Sequence, residues 1–187
     1  MKIRQQLPRN IWMKRFLFIL AGAGSLALSR SPREHLRILK SIPKEWEKFE
    51  RAHIYRVSRS LNRKGLINYQ KIRNGQINIS INNEGRNYLK YLEFDDMVLP
   101  RKEKWDRKWH LILFDIPETK RRGRDALRKK LKELGCHEVQ KSIFAWPYDC
   151  RKEVNFIVRF FNLENFVIYA EAALDSDSKI KKHFNLA

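Results

Sequence analysis

Residues 109–148 read WHLILFDIPETKRRGRDALRKKLKELGCHEVQKSIFAWPY, and their order decides the fold. Trp109 to Phe114 is a dense apolar run of strand length, the pattern of a strand buried on both faces. Asp115 ends the run and Ile116-Pro117 follow; proline has no N–H to give to a central ladder. Arg124, Leu127, Leu131 and Leu134 then recur at spacings of three and four, which predicts a helix, and Gly135 stands where such a helix stops. Val139 to Tyr148 is a second extended stretch. Strand, basic helix and strand make one βαβ-type unit.

Downstream, Cys150 to Leu163 predicts a helix with Val154, Ile157, Val158 and Phe161 apolar. Asn165 to Leu174 predicts a strand, and Ser176 to Ala187 a charged tail able to form a short helix. The order β-α-β(-β)-α-β is that of a ferredoxin-like fold.

Upstream, residues 1–10 form a basic, polar arm. Asn10 is a candidate N-cap for a helix to about Ala23. Ser31-Pro32 opens a second helix that ends near Ser41, before Pro43. A third helix runs from Glu45 or Glu47 to Lys64, with Gly65 as its stop. On it, Ile54, Val57 and Leu61 share one face; Ala52, Arg56, Arg59 and Arg63 centre on the opposite face, at about 100° per residue. Leu66 to Ile72 and Gln76 to Ile81 read as two strands joined at Arg73-Asn74-Gly75, because Asn-Gly is a strong hairpin signal. A closing helix carries Tyr88, Leu89 and Leu92. Three helices, a hairpin and a closing helix describe a winged helix-turn-helix. The expected class is therefore α+β: a winged helix-turn-helix over 1–97, a linker over 98–108 where LPRKEKWDRK breaks the composition, and a ferredoxin-like (βαββαβ) domain over 109–187.

The net charge is +19, from 40 Lys and Arg against 21 Asp and Glu in 187 residues, and it calls for a polyanionic partner. Residues 1–97 hold 20 Lys and Arg to 8 Asp and Glu, net +12, while residues 98–187 hold 20 to 13, net +7. The first part is the more basic, as a DNA-binding module should be. Cys136 and Cys150 form no CxxC pair, the five histidines show no HExxH, and no Walker loop or GxGxxG occurs. Two cysteines make no disulfide framework, so a reducing cytoplasm is the expected compartment. Lys14-Arg15 precede an apolar run, Phe16 to Leu28, that is too short to span a bilayer, and no membrane partner is expected.

The motifs carry a resemblance. Trp105-Asp106-Arg107-Lys108-Trp109, Phe114 to Glu118 and Pro147-Tyr148-Asp149-Cys150 resemble the signatures of repressors like the phenylacetate-degradation regulator PaaX. Asp115-Ile116, Arg121-Arg122, Gly135 and Gln140-Lys141-Ser142-Ile143-Phe144 also resemble the small nuclease-like subunit of CRISPR adaptation complexes. The first resemblance implies a DNA-binding regulator, acts through most of the chain, and makes Phe16 to Leu28 part of the first core helix. It leaves any small-molecule effector open.

On that reading Arg56, Arg59 and Arg63 face the major groove, where arginine bonds guanine edges bidentately. Arg51, Lys64, Lys71 and Arg73 hold phosphates, and Tyr55, beside the arginine face, touches the backbone. The second resemblance offers an alternative: Asp115 from each subunit holding Mg²⁺ across a dimer axis, in a metal-dependent endonuclease or a silent nucleic-acid scaffold. The local alternative is that Asp115 caps its turn or pairs with Arg121 or Arg122. Both families pair through this domain, so a homodimer is expected, with Phe114, Ile143, Phe144 and Trp146 as candidates for its seam.

Overall fold

The computed structural model describes residues 11–23, 25–28, 51–71 and 77–186. The expected helix from Ser31, the start of the third helix, the Arg73-Asn74-Gly75 turn and the basic arm lie outside them. The chain divides into two compact units, Met1–Asp95 and Asp96–Ala187. Both are mixed assemblies of helices and antiparallel sheet.

In the first unit, α1 (Ile11–Ala23) is followed by β1 (Ser25–Leu28). The apolar run expected as one helix thus divides: its last four residues pair antiparallel with β3, Leu26 opposite Ile79 and Leu28 opposite Ile77. Then come α2 (Arg51–Arg63), β2 (Ile67–Lys71), β3 (Ile77–Ile81) and α3 (Asn83–Asp95). The sheet order is β1-β3-β2. β2 and β3 pair from Ile67 opposite Ile81 to Lys71 opposite Ile77, the register expected of a hairpin. Ile77, Ile79 and Ile81 are buried while Asn78 and Ser80 are not, the period-2 signature of a strand with one face on a core. That core is built by Phe16, Leu17 and Leu20 of α1, Ile54, Val57 and Leu61 of α2, and Tyr88, Leu89 and Leu92 of α3. No helix among the described residues is long and apolar enough to cross a membrane.

In the second unit, β4 (Trp109–Phe114) leads through a 3₁₀ turn (Glu118–Lys120) into α4 (Arg121–Glu133). β5 (His137–Gln140), β6 (Ile143–Trp146), α5 (Arg151–Phe160), β7 (Val167–Ala172) and α6 (Ser178–Phe184) complete it. The stretch Val139 to Tyr148 is two strands rather than one, turning at Lys141-Ser142 with a register shift between Glu138 and Gln140. The sheet order is β5-β6-β4-β7, and every neighbouring pair is antiparallel. β4 and β5 are thus separated by β6, and β6 and β7 by β4, with a helix in each crossover.

Gly65 and Gly135 close α2 and α4 at φ +66° and +88°, conformations only glycine adopts freely. Each lets the next N–H return to a carbonyl of the last turn, Leu66 to Leu61 and Cys136 to Leu131, both at 3.0 Å.

Cross-strand register assigns the two faces of the second sheet. His110, Ile112 and Phe114 lie opposite Trp146, Phe144 and, on β7, Glu171, Tyr169 and Val167. The Tyr169 hydroxyl on this face receives the Cys150 N–H at the start of α5, so the buried Val154, Ile157 and Val158 of α5 cover it. The other face carries Trp109, Leu111 and Leu113, with Ala145 and Ile143 on β6 and Ile168, Ala170 and Ala172 on β7. There Ile180 of α6 is buried with Trp109 and Ala145. Of the four residues expected at a seam, Phe114, Phe144 and Trp146 are buried within the unit itself, and only Ile143 is half-exposed. Trp146 is further tied by its Nε1–H to the Pro100 carbonyl at 3.0 Å. Leu99 is buried as well, so part of the stretch read as a linker packs into this unit.

Candidate nucleic-acid interface

α2 has two chemically distinct sides. Ile54, Val57 and Leu61 are almost wholly buried. Ser58, also buried, donates its hydroxyl to the Tyr55 carbonyl at 3.1 Å, so its polar atom is satisfied inside the helix. Arg56, Arg59 and Arg63 are exposed. Seven residues separate the first arginine from the last, roughly 10 Å at 1.5 Å per residue. That length fits a major groove about 12 Å wide.

Tyr55 is half-buried and packs on the core beside this stripe. Lys64 follows the helix; partial burial, and then the neighbouring Arg63, hold its ammonium below the ordinary value. Arg51 is the first residue of α2 and Lys71 the last of β2. Arg73 lies outside the described residues.

β2 and β3 stand next in the chain. Asn68 and Gln70 are exposed on β2, and Asn68 Nδ2 donates to Ser80 Oγ at 3.4 Å. Asn82 locks the sheet to the next helix. Its Oδ1 accepts the Gly85 N–H at 2.9 Å and its Nδ2 donates to the Gly65 carbonyl at 2.9 Å. One side chain thus ties the end of α2 to the start of α3, and this role had no signal beyond the helix-capping preference of asparagine.

Asp115 is in different surroundings. It is exposed at the end of β4, and its backbone N–H is bonded to the Phe166 carbonyl. Arg121, one of its expected partners, is engaged by Glu118 at 3.4 Å and by Asp125 at 3.7 Å. Glu118 also takes Arg124 at 2.9 Å, and that guanidinium holds its carboxyl below the ordinary range. Asp149 accepts the Arg151 N–H at 3.0 Å and the Tyr169 hydroxyl at 3.1 Å. Glu118 and Asp149 are therefore committed elsewhere. Among the described residues no three His, Cys, Asp or Glu side chains converge as a metal site would require. A lone exposed carboxylate per chain does not fit Mg²⁺ without a second one.

The sequence did not reveal two further groupings. Glu138 bridges Arg128 at 2.7 Å and Lys132 at 2.5 Å, pinning α4 to β5. The row Ile168–Leu113–Ile143 crosses three strands in direct register on the face away from α5, with Ile168 68% exposed. Because β4 is apolar on both faces, alternation gave no sign of which residues would remain open.

The comparison with curated proteins finds no match. Residues 102–183 match the family described as the PaaX protein central Cas2-like domain. The match covers β4 through α6, the elements whose motifs carried the resemblance. Residues 102–183 are therefore similar to the central Cas2-like domain of PaaX proteins.

Proposed function

We propose that the protein is a DNA-binding transcriptional regulator, a repressor, acting as a homodimer. The observation that carries this reading is the arginine stripe of α2, exposed opposite a fully buried apolar stripe and followed by an antiparallel strand pair. In this reading the first unit is a winged helix-turn-helix, with α2 as the reading helix and β2–β3 as the wing. The similarity of residues 102–183 to the central domain of PaaX proteins supports a regulatory role.

The second unit is read as a ferredoxin-like (βαββαβ) dimerisation domain. Its strand order, with two helices in the crossovers, supports that reading. The seam is drawn on the open row Ile168, Leu113 and Ile143 rather than on Phe114, Phe144 and Trp146, which have no surface left to offer. A twofold dimer pairs two reading helices and favours a palindromic site.

The test is duplex binding across a salt series. With about six phosphate contacts, log K should fall against log salt with a slope near −5. An affinity that does not change with salt would refute the electrostatic contact on which the reading depends.

A further inference from the structure

The C-terminal helix α6 lies on the sheet face away from α5 by few contacts. Ile180 is buried with Trp109 and Ala145, and Phe184 and Leu186 pack against them. At its N-terminal end Asp177 accepts the Trp109 Nε1–H at 3.0 Å. At its other end His183 Nε2 is 3.3 Å from the Gly135 carbonyl oxygen. The His183 ring lies 4.8 Å, centroid to centroid, from His137 of β5. A helix of seven residues does not persist alone in water, so α6 exists only while docked.

The surrounding acids are engaged by other groups. On β5, Glu138 is held by Arg128 and Lys132 of α4. At the end of α4, Glu133 faces Lys129 at 3.8 Å. On α6, Asp177 is shared by Lys181 and Trp109, while Lys179 and Lys182 are exposed cations. On β6, His137 faces Ala145, flanked by Phe144 and Trp146. Burial, and then His183, hold the His137 imidazole below its ordinary value. A base with a depressed value in the docked state binds fewer protons there than when free. Its contribution to docking is thus complete above about pH 6.5 and is lost as pH falls through the docked value. With the two rings 4.8 Å apart, a second charge on the pair meets the first at contact distance.

We propose that α6 is a proton-sensitive strap: it stays on the sheet while at most one of His137 and His183 is charged, and the second proton releases it, uncovering Trp109, Leu111 and Ala145.

Hydrogen exchange of the α6 amides in the full chain, corrected for intrinsic rates, tests this between pH 7.5 and pH 5. Two like charges at contact distance in water should lower protection roughly fivefold. Tryptophan emission should shift to the red over the same range as Trp109 meets solvent. His183→Gln keeps an N–H for the Gly135 carbonyl and adds no charge, so its α6 should lose less protection than wild type between the two pH values; His137→Asn, which removes both the buried imidazole and the pair, should lose least. Buried His110 lies on the opposite face and is common to wild type and variants. Wild-type α6 keeping its protection at pH 5 would overturn the strap. So would either variant losing as much as wild type, or both variants already undocked at pH 7.5.

Discussion

At Gly85 a β-carbon would fall inside the contact radius of the Leu66 carbonyl oxygen and against Ile81. Gly85→Ala should therefore cost on the order of 1–3 kcal/mol, the range for overpacking, in a denaturant melt. A melt within a few tenths of wild type would mean the backbone relaxes freely there. Asp149 supplies a second test at this scale. The Arg151 N–H first, and then the Tyr169 hydroxyl, hold its carboxyl below the ordinary value. A depressed carboxylate contributes stability above its unfolded value, near pH 4, and loses it as pH falls through the folded value. Asp149→Asn should thus melt below wild type at pH 7, with the gap narrowing as pH falls below about 4; a gap constant with pH would contradict the assignment. For Asp115 the expectation is inertness. Asp115→Ala should bind duplex DNA as wild type does, and neither protein should cut DNA or RNA with Mg²⁺. Cleavage lost in the variant would favour the nuclease reading. Pro147-Tyr148-Asp149-Cys150 stood out in the sequence, but nothing there linked Asp149 to Tyr169, because a contact across 20 residues leaves no local pattern.

At the scale of elements, amphipathic helices were legible and two-sided strands were not. In α2 the buried residues at 54, 57 and 61 and the exposed arginines at 56, 59 and 63 follow directly from 3.6-residue periodicity. In β4 every position but His110 is apolar, so period-2 alternation could not separate the α5 face from the open one. The break between β5 and β6 was missed because Lys141-Ser142 lacks strong turn chemistry. Likewise β1 was hidden inside an apolar run that continues from α1 with only glycine at the join. The resolved faces give opposite expectations for two variants. Ile168→Asp, on the open row, should leave the melt nearly unchanged and shift light scattering of the full chain from dimer to monomer. Phe144→Ala, in the core, should cost about 3–5 kcal/mol instead. An Ile168→Asp protein that stays dimeric would remove this row as the seam.

For the whole molecule, the question is where a net charge of +19 acts. Much of the second unit's positive charge is met by its own acids: Arg121, Arg124, Arg128, Lys129 and Lys132 all face carboxylates within 4 Å. Exposed pairs of this kind add little stability, but they locally neutralise the surface. The arginines of α2 lie in the more basic part of the chain, on an exposed face whose opposite side is the core. This face is the one expected to read DNA. The direct test is duplex binding by full-length protein with Arg56→Glu, Arg59→Glu and Arg63→Glu combined, alongside a melt. The triple variant should melt as wild type does, since none of the three is buried, and lose binding by at least a hundredfold, about 1 kcal/mol or more per reversed contact. A triple variant that keeps its fold and binds duplex DNA at wild-type strength would contradict it.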